Sequence, residues 1–158
     1  TEVPAYLYNA YGGLIGYNRL YGLTWSDHNT TLVAEKAAMN SYLSVYTSAT
    51  INATVNSQYN CHSYAWYRQS GNYYWINDPS VYLLDGSYSS VSTMAKGDKV
   101  VYTNKTTSNI VHSGIIVSKA SGSTPAKVIS KWGCNALFTH NINDCPYYQS
   151  NTALTYWR

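Results

Sequence analysis

With 158 residues, 45% of them hydrophobic and only 11% charged, the chain reads as one domain, residues 1–158, that buries a core of its own. That balance excludes a disordered chain, and a net charge of +3 supplies too few cations for a nucleic-acid binder that neutralises many phosphates. No run of about 18 apolar residues offers a membrane span.

The first residues, Thr1-Glu2-Val3-Pro4, lack the basic and apolar regions of a signal peptide, which leaves room for a leader already removed. Residues 1–29 are rich in Tyr, Gly and Asn, and Tyr11-Gly12-Gly13 and Tyr21-Gly22-Leu23 are turn signals, so loops with short extended or helical pieces are predicted. Thr30 or Thr31 then caps a predicted helix over 31–48, in which Leu32, Val33, Ala37, Met39, Leu43 and Val45 recur at near-helical spacing. The small, polar stretch 47–59 reads as an exposed loop that delivers the backbone to Cys61. A second helix is predicted from Asn60 to Arg68 or Gln69, ended by Gly71-Asn72. Residues 73–95, with Asn77-Asp78-Pro79 and Leu84-Asp85-Gly86 turns, form an irregular excursion suited to one wall of a cleft. From Gly97 the pattern turns to strands at 99–102, 110–117, 127–132, 137–140 and 153–157. A helical half followed by an antiparallel meander makes the class α+β.

Chemistry concentrates at two places. Cys61 falls at the first turn of a helix, where unpaired backbone N–H groups and the positive end of the helix dipole favour a thiolate nucleophile. His112, at the start of the apolar run Val111-His112-Ser113-Gly114-Ile115-Ile116-Val117, is a base held rigidly on a strand. His62 is adjacent to Cys61, but neighbours on a helix diverge by about 100° and do not face one another. Of three cysteines, Cys134 and Cys145 close a short loop if they pair, leaving Cys61 free. The bland alternative makes Cys61 a buried small apolar residue. The four histidines are scattered, no paired-cysteine spacing occurs and no phosphate-binding glycine loop is present, so neither metal nor cofactor is expected. The 18 tyrosines against one phenylalanine, with many Ser, Thr and Asn, match exported proteins, and either stack on sugars and peptides or fill β-rich layers.

Four stretches together resemble the papain-like fold of the NlpC-type cell-wall peptidases and CHAP amidases. Asn60-Cys61-His62-Ser63-Tyr64-Ala65-Trp66 is similar to their nucleophile helix, and Lys96-Gly97-Asp98-Lys99-Val100-Val101-Tyr102 to the Gly-Asp turn entering the first core strand. Val111 to Val117 is similar to their His-x-Gly strand, and Val128-Ile129-Ser130-Lys131-Trp132-Gly133 is placed like the strand of the third polar residue. The resemblance covers residues 60–133; residues 1–59 have no counterpart in it. It implies a secreted cysteine hydrolase of the bacterial cell envelope that cleaves an amide bond in peptidoglycan or a peptide. Cys61 would be the nucleophile and His112 the general base and then acid. Those families orient the imidazole with His, Asn, Gln or Glu, where this chain offers Ser130 or Lys131 or, on the next strand, His140. The oxyanion would be held by the N–H of Cys61 and by Tyr59 or Asn60.

Two other classes compete. Transglutaminase-like acyl transfer uses the same Cys and His, but its usual aspartate after the histidine is missing, since no Asp lies between Asp98 and Asp144. A non-catalytic module would bind a glycan or protein through its Tyr-rich surface.

Overall fold

A computed structural model describes residues 6–18 and 24–158. The turn expected at Tyr21-Gly22-Leu23 lies outside them. In chain order the elements are β1 (Tyr6–Tyr8), β2 (Leu14–Asn18), α1 (Trp25–Val45), β3 (Thr50–Ala53), a π-helical turn (Ser63–Tyr67), β4 (Tyr74–Trp75) and α2 (Ser80–Leu84). They are followed by β5 (Ser90–Val91), β6 (Lys99–Asn104), β7 (Ile110–Ser118), β8 (Lys127–Lys131), β9 (Leu137–Asn141) and β10 (Thr152–Trp157). The fold is mixed α+β, with an N-terminal helix and a largely C-terminal antiparallel sheet.

Helix α1 begins six residues before the predicted start. Thr24 caps it, its hydroxyl accepting from the Asp27 N–H at 3.1 Å and donating to the Asp27 carboxylate at 2.7 Å. None of its residues is fully buried, and Leu32, Met39, Tyr42 and Leu43 are the side chains it lays on the sheet. Among the described residues no helix is long and apolar enough to cross a membrane.

The main sheet runs β3-β9-β8-β7-β6-β10-β5, and a small sheet runs β1-β2-β4. Strand alternation divides the main sheet into two faces. Val100, Tyr102, Ile116, Val128 and Phe138 pack with Trp132 under α1. Val101 faces the other way and meets Ala65 and Trp66 of the π-helical turn. At Gly114 β8 leaves no room for a side chain: a Cβ there would lie 2.4 Å from Val128 Cγ1 and 3.2 Å from Ser130 Cβ.

All three cysteines are free, which corrects the expected Cys134–Cys145 bridge. Cys145 is buried in the core, its thiol facing the Tyr147 N–H and the Tyr102 hydroxyl. Cys134 is half-buried in the turn after β8, near the Lys131 ammonium. The two thiols serve different surroundings, and closeness in sequence does not bring them together.

Candidate active site

The helix carrying Cys61 begins where the sequence placed it, and Asn60 is the reason. Its Oδ1 accepts from the Ser63 N–H at 3.1 Å, its own N–H donates to Ser63 Oγ at 3.1 Å, and its Nδ2 donates to the Ile76 carbonyl at 2.7 Å. This reciprocal cap makes Cys61 the first helical residue. The turn then widens to π geometry and stops at Arg68, whose N–H bonds the Ser63 carbonyl at 2.9 Å. Single π-turns of this kind are frequent at functional sites. The Asn60 N–H, one of the expected oxyanion donors, is therefore occupied by Ser63 Oγ.

The Cys61 sulfur sits at a fork in the sheet. Ile116 exchanges backbone bonds with Asp98 and Gly97 on the β6 side, so alternation turns the N–H of Ser113 toward β8. The β7–β8 ladder begins only at Ile115↔Ile129, which leaves that N–H without a strand partner. It is directed at the Cys61 thiol, as are the N–H groups of His62 and of Cys61 itself. The positive charge of Lys131 also lies near. All these favour a thiolate, but burial outweighs them and pushes the thiol up to about 11, the reverse of the shift expected from a helix start.

His112 is one residue from Ser113 and points to the opposite face of β7. It is fully buried, edge-on to Tyr102 with ring centroids 5.1 Å apart, and stacked on Tyr147 at 3.8 Å. Among the described residues neither ring nitrogen has a hydrogen-bond partner, and no hydrogen bond joins it to Cys61. Burial, then the neighbouring His140 and His62, hold its pKa well below the ordinary histidine value, so the ring is neutral.

Ser130 and His140 meet each other instead of His112. Trp132 Nε1–H donates to Ser130 Oγ at 3.1 Å, Ser130 Oγ lies 2.7 Å from His140 Nε2, and His140 Nδ1 lies 2.7 Å from the Asn141 carbonyl. The carbonyl can only accept, so Nδ1 carries the proton, Nε2 accepts from Ser130, and the chain is closed. His62 belongs to a second network: its Nδ1 is 2.8 Å from Ser113 Oγ, which also receives Trp66 Nε1–H at 2.9 Å. Burial lowers the His62 pKa to about 4.

Two contributors differ from the sequence reading: Lys131, offered there only as an alternative to Ser130, and Tyr147, which it missed. Lys131 is fully buried, and its Nζ donates to the carbonyls of Asn56, Tyr59 (3.0 Å) and Gly133 (2.6 Å). Those bonds tie the loop ahead of Cys61 to the end of β8, while burial pulls the Lys131 pKa down to about 7. The Tyr59 carbonyl is thus a ligand of the ammonium. Tyr147 is the other: in a chain of 18 tyrosines nothing local marks the one that covers His112. Among the described residues no group of three or more His, Cys, Asp or Glu comes together to hold a metal ion.

Comparison with protein-family models, curated proteins and solved structures finds no match to this chain. The hydrolase, peptidase and peptidoglycan assignments gain no support from them and rest on the local resemblance.

Proposed function

We propose that Cys61 and His112 are the working pair of a secreted cysteine hydrolase with a papain-like arrangement, acting on an amide bond in a peptide or in peptidoglycan. One observation carries this reading. His112 keeps both ring nitrogens buried and unpartnered, one residue from the N–H directed at the Cys61 sulfur. An unsatisfied buried polar group costs about 1–3 kcal/mol, and a catalytic role is one reason a fold retains such a group. In the proposed reaction His112 takes the Cys61 proton as the sulfur attacks the carbonyl carbon, and returns it to the leaving amine. Water then attacks the thioester, giving its proton to His112, and the acid is released with the thiol restored. The N–H groups of Cys61, His62 and Ser113 supply donors for the negative charge on sulfur and then on the carbonyl oxygen.

The test is release of new amines from cell-wall fragments. Cys61→Ala and His112→Ala should each abolish it, the double variant should lose no more, and His62→Ala should retain much of it. Full activity in Cys61→Ala would end the proposal. Adding an excess of a primary amine separates hydrolysis from acyl transfer, since a transferase would build that amine into its product. The burial of both groups favours a second reading, a binding module in which they only pack. A thioester adduct on Cys61, seen by mass spectrometry after an activated acyl ester, would exclude that reading.

A further inference from the structure

Beside the Cys61 helix lies a cleft of about 290 Å³, walled on one side by Asn56, Gln58 and Tyr59 and on the other by Gln69, Asn72 and Tyr73. It straddles the helix, one wall just ahead of Cys61 and the other just after Arg68. No charged side chain lines it, and its polar atoms are of both kinds. Asn56 Oδ1 is taken by the Gln58 N–H at 2.8 Å, which leaves the Asn56 Nδ2 donors. Gln69 Nε2 is taken by the Tyr64 carbonyl at 2.6 Å, which leaves the Gln69 Oε1 acceptor. The Gln58 amide supplies one of each. Asn72 is spent internally, its Nδ2 on the Arg68 carbonyl and its Oδ1 on the Tyr74 N–H, so it fixes the second wall.

One of the two aromatic surfaces is held in advance. Lys131 Nζ stands 4.5 Å from the centroid of the Tyr59 ring and bonds the carbonyl of the same residue, so Tyr59 is braced against the sheet. Tyr73 is about half exposed on the facing wall. Flat amphipathic rings beside fixed amide donors and acceptors, without charge or an apolar hole, complement a ring that carries hydroxyl and amide groups on its edge and C–H groups on its faces. A charged ligand would find no counter-ion here, and an extended peptide would find loops instead of a strand edge to pair with. We infer that this cleft is a binding subsite for a neutral sugar unit. The inference goes beyond the hydrolase reading and holds for a binding module as well.

The experiment uses the full chain carrying Cys61→Ala, so that turnover cannot intervene, titrated with N-acetylchitotriose while amide signals are followed by NMR. Expected are saturable shifts of the Asn56, Gln58 and Gln69 side-chain amides and of residues 70–73, with a Kd in about the millimolar range. Tyr73→Ala and Gln58→Ala, at partly exposed positions, should each weaken binding at least about fivefold without changing Tm. No saturable shift, shifts confined to another surface, or equal binding by both variants would overturn the subsite. So would tetraglycine shifting these signals where the sugar does not, since the cleft would then take peptide. Hydrolysis that persists in Cys61→Ala, or is absent from the unaltered chain, with sugar binding intact would count against the Cys61 proposal and leave this one standing.

Discussion

The ring of Tyr147 lies flat on that of His112, with centroids 3.8 Å apart and planes 6° from parallel. No hydrogen bond orients the imidazole among the described residues, so this stack and the edge contact with Tyr102 are what fix its plane. Tyr147→Phe keeps the stacked face and should keep the activity. Tyr147→Ala frees the ring, and a misplaced catalytic group costs on the order of 10²-fold in rate. Loss of that cover also lets water reach His112, so the acid limb of kcat/KM should move up toward the ordinary histidine value of about 6.5. An alanine variant with full activity and an unmoved pH profile would show that the stack only fills space.

Much of the fold was legible because β-branched residues alternate cleanly in its C-terminal half. The strands read at 99–102, 110–117 and 137–140 appear as β6, β7 and β9 within a residue or two at each end. Strand β3 was not legible, since Thr50-Ile51-Asn52-Ala53 is a short polar edge that becomes a strand only by pairing with β9. The start of α1 was hidden as well, because Trp25-Ser26-Asp27-His28-Asn29 has no apolar period and begins a helix through the Thr24–Asp27 cap. At the site, the helix start at Cys61 and the strand around His112 are local features and could be read. The Tyr147 stack, the three carbonyls on Lys131 and the Ser130–His140 bond are tertiary contacts that no local pattern encodes.

Three buried histidines set the acid limit of stability. Burial is the largest cause lowering each, with His62 and His140 pulled down to about 4 and His112 well below its ordinary value. A base whose folded pKa is depressed takes up its proton on unfolding, so its contribution is present above the unfolded value of about 6.5 and lost as pH falls toward the folded value. Between pH of about 6 and 4 stability should fall by roughly 1.4 kcal/mol per pH unit for each histidine. Urea midpoints over that range measure the slope, and His140→Gln should remove one proton from it. Unfolding free energy that stays level from pH 7 to 5 would contradict the burial of these rings.

Gly114 is required by the approach of β8, not by its backbone angle. A methyl group there meets Val128 Cγ1 at 2.4 Å and Ser130 Cβ at 3.2 Å, with the Ile129 carbonyl also at 3.2 Å. Overpacking of this kind costs about 1–3 kcal/mol. Gly114→Ala should lower the urea midpoint accordingly, and Gly114→Ala with Val128→Ala should recover part of the loss. No recovery would place the strain elsewhere.

Lys131 should matter to both stability and activity. Lys131→Met keeps the apolar stem and removes three donors, leaving the carbonyls of Asn56, Tyr59 and Gly133 to find new partners. Each carbonyl left unpaired in the interior costs about 1–3 kcal/mol, reduced where the loop shifts to admit water. Chemical denaturation should show a loss of at least about 2 kcal/mol, and hydrogen exchange should rise across 56–60 before it rises in β6 and β7. Unchanged exchange in that loop would mean that the ammonium does not hold it.

The resting state of Cys61 has a direct chemical test. Burial raises its thiol to about 11 against donors from Ser113, His62 and its own backbone, and burial likewise keeps His112 neutral. Only the thiolate is alkylated, so at pH 8 about one folded molecule in a thousand is reactive, against roughly a quarter of an unfolded chain with a thiol pKa near 8.5. Iodoacetamide should therefore label Cys61 in the folded protein on the order of a hundredfold more slowly than in urea, with a rate that climbs as pH rises from 8 to 10. Peptide mass mapping separates Cys61 from Cys134, whose partial exposure gives it a different rate. His112→Ala should leave the Cys61 profile in place, because a neutral imidazole holds no charge that stabilises the thiolate. Rapid labelling of Cys61 at pH 6, abolished by His112→Ala, would instead reveal a preformed thiolate–imidazolium pair. It would replace the neutral pair with proton transfer made before substrate arrives.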